Sequence, residues 1–132
     1  MEEKRTYTVR NSERCFRFKP DAFYSHAPDR KGIYELVTFD ANQTPQVLFV
    51  GAAFEKSIRA SLEEHLSGAL APAAADLLAT HANLYFDYLE QTSARDQNDA
   101  QDIYWYLVNK HKPVYNVAPV KPSGRSGSID VV

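Results

Sequence analysis

The sequence predicts a small α/β (α+β) domain with a central, mainly antiparallel three-stranded sheet flanked by helices, and three observations carry that reading. Two runs rich in β-branched and aromatic residues, 32–39 and 47–51, flank a polar turn and read as a β-hairpin. A segment with apolar residues at helical spacing follows directly, and a further aromatic run at 84–89 supplies the third strand. With 132 residues, 44% of them hydrophobic and 24% charged, the chain is long enough for one core without staples.

In chain order, residues 1–31 form an N-terminal extension. Tyr7, Val9, Cys15, Phe16 and Phe18 alternate weakly with Arg10, Arg14 and Arg17, which predicts an extra edge strand with a short hairpin turn at Asn11-Ser12. Residues 20–24 make one helical turn, and 27–31 deliver the chain to Gly32. In the hairpin, Ile33, Val37 and Phe39 share a face that Glu35 interrupts, while Tyr34, Leu36 and Thr38 point the other way. Both faces are largely apolar, so the hairpin belongs at the centre of the domain. Gly51 ends it, where a residue without a Cβ permits close approach.

The helix predicted over 54–66 repeats Ile58, Leu62 and Leu66 in one stripe, with Arg59 projecting beside it. Ser67-Gly68 stops it, and a second helix over 72–80 serves the core. His65 reads as a helix-end residue favoured by the dipole. A polar connection at 92–99 leads into a last helix over 98–111, capped by Ser93 or an acidic residue near Asp99, with Ala100, Ile103, Tyr104 and Leu107 facing the sheet. Residues 117–132 are rich in Pro, Ser and Gly without a core face, and read as a flexible tail. The resulting organisation is 1–31, 32–116 and 117–132.

A net charge of −2 gives no global attraction to nucleic acid, so any such binding needs a local patch. Positive charge gathers at Lys4, Arg5, Arg10, Arg14, Arg17, Lys19, Arg30 and Lys31, which suits either a phosphate-contacting face or a solvated strand edge protected by its charges. The single Cys15 excludes an internal disulfide and reads as a half-buried strand thiol. No apolar run approaches the ~20 residues of a membrane helix, and residues 1–5 are not a signal peptide. The expectation is a bacterial-type cytoplasmic protein with no membrane partner.

Gly32-Ile33-Tyr34 followed by Phe49-Val50-Gly51 resembles the paired signature of the GIY-YIG nuclease superfamily, with Phe49 where the second motif has tyrosine. Pro113-Val114-Tyr115-Asn116 resembles the Pro-x-Tyr-Asn ending of many such domains. The resemblance implies that Tyr34 helps deprotonate the attacking water, that Arg59 contacts the scissile phosphate, and that His65 matches a histidine often found on that helix. It also implies a metal-binding glutamate nine residues before Pro113 and four after Ala100, where this chain has Tyr104. Asp102 lies about 160° around the helix from that position and does not replace it.

A tyrosine supplies no anionic ligand at neutral pH, whereas a Mg²⁺-type ion needs hard oxygen donors. The resemblance therefore implies a catalytically impaired domain that retains a nucleic-acid or phosphate-binding surface, or works as an interaction module. Expected partners are DNA or RNA, bound weakly and in a salt-sensitive way, or a protein. The competing expectation is an endonuclease with a relocated carboxylate among Glu35, Asp87 and Glu90; Mg²⁺ or Mn²⁺ enters only if the domain is active. A third reading has the Tyr34 surface binding a small ligand in an aromatic pocket.

Overall fold

The computed structural model describes residues 4–12, 14–118, 120–125 and 128–132. The hairpin predicted from sequence is its centre. Strand β4 (Gly32–Phe39) pairs antiparallel with β5 (Pro45–Ala53), around a turn in which the Asp40 carboxylate accepts from the backbone N–H groups of Asn42 and Thr44. Strand β6 (Tyr85–Thr92) pairs antiparallel with the other edge of β4, placing Tyr34 beside Tyr88 and Glu35 beside Asp87.

The N-terminal extension completes the sheet differently from expectation. After β1 (Lys4–Tyr7), strands β2 (Val9–Asn11) and β3 (Phe16–Arg17) both pair antiparallel with β6, one after the other, instead of folding on each other as a hairpin. The Ser12 hydroxyl and backbone explain this. Its N–H donates to the Tyr88 carbonyl and its Oγ accepts from the Tyr88 N–H, so the chain stays anchored to β6 between the two strands. The sheet thus has five strands, in the order β2-β6-β4-β5 with β3 also on β6.

Helix α1 (Ile58–Ser67) begins four residues later than its apolar stripe predicts, because Ser57 caps it by accepting from the Ala60 N–H. Gly68 ends it in the left-handed region at φ 86°. Helix α2 (Ala74–Thr80) follows, and α3 (Gln97–His111) comes after β6. Of the two caps the sequence offers, it takes the acidic residue near Asp99 in place of Ser93: the Asp96 carboxylate accepts from the Asp99 N–H at 2.9 Å. Helices α1 and α2 cover one sheet face, closing a core of Phe18, Tyr34, Leu36, Ile58, Leu62 and Phe86. Helix α3 covers the other, over Ile33, Val50, Leu89 and Ile103. Burying such side chains contributes roughly 1.5–3 kcal/mol each, which makes the doubly covered hairpin the most strongly held part of the fold.

The tail departs most from expectation. Residues 120–125 return along α3, and β7 (Ser128–Val131) pairs in parallel with β1. Among the described residues, no helix is long and apolar enough to cross a membrane.

Candidate functional site

The two motifs of the hairpin meet through one side chain. Tyr34 on β4 is in register with Gly51 on β5, and its ring lies directly against the glycine. A Cβ at position 51 would stand 2.1 Å from Tyr34 Cζ, so only glycine fits there. The phenol thereby crosses over β5 and reaches His65 on α1, with Oη 2.7 Å from Nε2.

His65 is fully buried, which corrects its reading as a dipole-favoured helix end. It occupies the inward face of α1 together with Ile58, Ser61 and Leu62. Its Nδ1 lies 2.9 Å from the Pro72 carbonyl, which can only accept, so Nδ1 carries the proton and Nε2 accepts from the Tyr34 hydroxyl. Burial lowers the imidazole pKa against the opposing pull of the Pro72 carbonyl. Burial likewise raises the phenol, with Tyr104 and Glu64 adding to it. Both groups are neutral at pH 7, and the proton rests on tyrosine.

Phe49 closes the other side of this pair, its ring centroid 6.3 Å from that of Tyr34 and 5.3 Å from that of His65. It also faces a hollow of about 600 Å³, whose walls include Tyr104, Tyr115, Gln101 and Lys121. Tyr104 is half-buried and packs edge-on against Phe54; burial raises its phenol, opposed by a hydrogen bond with Asn116. Asn116 in turn pins β5, accepting from the Val50 N–H and donating to the Val50 carbonyl. Tyr34, His65, Phe49 and Tyr104 therefore gather around one region.

Arg59 does not join them. Its Nε donates to the Ala27 carbonyl at 3.0 Å, its guanidinium lies 4.4 Å over the Tyr24 ring, and Asp29 stands 4.0 Å away. The loop before β4 takes its Nε donor.

No carboxylate lines the hollow among the described residues; Lys121 is the charged group there. Nor is any group of three or more His, Cys, Asp or Glu side chains among the described residues arranged to hold a metal ion. The three carboxylates considered from sequence lie elsewhere. Glu35 and Asp87 face α3, on the sheet side opposite Tyr34, and Glu90 pairs with Arg10 at 3.5 Å.

Glu35 and Asp87 nonetheless form a polar centre of their own. Burial opposes ionisation of both. For Asp87 that burial and the adjacent Glu35 raise the carboxyl to about 9, so it keeps its proton and shares it with Glu35. Burial notwithstanding, hydrogen bonds from His111 and Asp87 and the nearby charges of His111 and Lys110 hold Glu35 below the usual carboxylate range. Asn11 and Cys15 complete the cluster, the thiol 3.7 Å from Asp87 Oδ2 and pushed up to about 12 by burial and by Asp87.

A third polar cluster lies between α3 and the tail. Asp102, wholly buried, accepts from the Ser123 N–H and hydroxyl and from Tyr7, while Arg125 and Tyr7 reach Asp99. The one local signal for it is the spacing of Asp99 and Asp102, which puts both on one helix face.

Comparison of the chain with models of known protein families, with curated proteins and with solved structures finds no match.

Proposed function

We propose that this chain is a GIY-YIG-like domain that binds a phosphate-bearing partner, nucleic acid foremost, without cleaving it. The observation that carries this reading is the neutral Tyr34–His65 pair beside a hollow that offers aromatic faces, amides and one lysine but no carboxylate. The interlocked Tyr34 and Gly51, and Asn116 clamped onto the same strand, support the family resemblance, because all three come from the motifs that suggested it. Tyr34 retains a base beside its proton, since His65 Nε2 accepts it. What the region lacks is an anionic ligand for a hard divalent ion, and with it the charge compensation that phosphodiester hydrolysis needs. Arg59 is held by the Ala27 carbonyl and the Tyr24 ring instead of joining Tyr34.

The test is cleavage of supercoiled plasmid and of single-stranded substrates by purified protein with Mg²⁺ or Mn²⁺, alongside fluorescence anisotropy with the same nucleic acids. Salt-sensitive binding without cleavage is the expected result. Robust cleavage abolished by Arg59→Ala would overturn it in favour of the endonuclease reading with a relocated carboxylate.

A further inference from the structure

The face of the sheet that carries Tyr34 continues past the helices onto β6 and β3, and there it is built from stacked rings and arginines. Phe16 on β3 lies parallel to His26, with centroids 4.5 Å apart and planes 13° apart, and parallel to Tyr88 on β6 at 6.3 Å and 11°. Arg14 sits 5.6 Å over the Phe16 ring and Arg30 sits 5.8 Å over Tyr88. Two residues before His26 in the same turn, Tyr24 is 59% exposed beneath the Arg59 guanidinium.

We infer that this ring-and-arginine surface is a contact for single-stranded nucleic acid, the partner class left open by the reading above, on which this inference rests. His26 is exposed at the outer end of the Phe16 stack, so a base can extend the stack without displacing any core side chain. A base face adds to such a stack whatever its identity, whereas a paired base keeps its faces against its neighbours in the duplex. Arg14 is exposed and has no ion pair among the described residues. Arg14 over the Phe16 ring and Arg30 over the Tyr88 ring are the cations set on the stack, and they suit the phosphates between successive bases. A basic surface alone would serve any polyanion. The flat exposed ring of His26, with Arg14 over the neighbouring Phe16, is what selects an unpaired base.

The experiment is anisotropy of a fluorescein-labelled oligothymidylate of about 12 nucleotides, a length within the range such platforms cover, titrated with the full chain at low and at moderate salt. Wild type is expected to bind the single strand, to bind a duplex of equal length more weakly, and to lose affinity with salt. His26→Ala and Arg14→Gln are each expected to weaken the single-strand complex about fivefold to tenfold, in line with one lost stacking or phosphate contact, with unchanged circular dichroism and melting. Lys56→Gln, an equal charge loss at a lysine paired with Glu64, is expected to change it less than twofold, about what long-range charge alone contributes under screening. Binding that persists in both surface variants but is lost in Lys121→Gln or Tyr104→Leu would overturn this surface while preserving the binding reading. Equal affinity for duplex, or displacement of the oligonucleotide by polyaspartate bound at that surface, would overturn the single-strand assignment. No association with any nucleic acid at tens of micromolar protein would remove both.

Discussion

The two faces of the central sheet bury polar groups by opposite means. On the α1 face, Tyr34 and His65 are matched neutral groups in which one donor meets one acceptor, so no charge is carried into the core. On the α3 face, Glu35 and Asp87 stand side by side across β4 and β6, and the pair is tolerated because one carboxyl keeps its proton and His111 closes the other. Directly opposed like charges destabilise a sheet. The first arrangement therefore loses stability only as the pH falls toward and below the usual histidine range, whereas the second loses it as the pH rises.

The sharpest way to break this contrast is Gly51→Ala. The added methyl meets the Tyr34 ring at a distance no side chain accepts, and Tyr34 cannot move without abandoning His65. We expect a loss of about 3 kcal/mol or more, read as a lower urea midpoint, and a Tyr34→Leu background should recover much of it. An unchanged midpoint would mean that the ring does not rest on Gly51.

Asp102→Ala comes next, since it strands the Ser123 and Tyr7 donors in a buried site. A cost of about 2–3 kcal/mol is expected, together with faster hydrogen exchange in 120–132. Exchange there that is already complete in wild type would contradict the folded tail.

Tyr34→Phe preserves the packing and removes only the hydroxyl, leaving His65 Nε2 without its donor. About 1–2 kcal/mol should be lost. The histidine adds a sign that can be checked. Its pKa is lowered on folding, so the unfolded chain binds more protons below about 6.5 and stability falls as the pH drops through that range. His65→Gln should flatten this acid-side slope.

The smallest effect sharpens the other face. The folded pKa of Asp87 is raised to about 9, so its contribution is fully present below the unfolded carboxylate pKa and drains away as the pH rises through the folded value. Asp87→Asn, which imitates the protonated form, should gain on the order of 1 kcal/mol over wild type at pH 9 and nothing at pH 4. Parallel stability curves for the two proteins would show that no proton is shared.

How much of this was legible follows from the range of the signals. The hairpin, the β6 strand and the three helices were readable because alternation, helical period and stop residues are local. His65 was misplaced because counting only Ile58, Leu62 and Leu66 hid that Ser61 and His65 lie on the same inward face of α1. The tail was misread for a related reason: Ser123 and Arg125 look solvated until Asp99 and Asp102, more than twenty residues earlier, are known to face them. Among the candidate site residues, Tyr34 and Phe49 were linked only by the paired motifs of the resemblance, and the hairpin sets their rings 6.3 Å apart. Arg59 does not join them, because its helix stripe fixes its direction but not which loop it meets first, and Pro28 and Ala27 reach it through the α1 N-terminus.

The parallel ribbon of β1 and β7 gives the molecule a mechanical character. Lys4 lies beside Ser128 and Tyr7 beside Val131, and backbone bonds continue from Val132 to Tyr7 and Val9. Tension applied through residue 4 and residue 132 therefore pulls the two strands lengthwise past each other, loading the ribbon's hydrogen bonds together in shear instead of unzipping them singly. The Ser123 and Arg125 contacts to α3 lie just inside that ribbon and carry the load onward to the helix. Stretched from these points, the domain should yield at one high-force event, with the Tyr34 region still folded behind a clamp it does not touch.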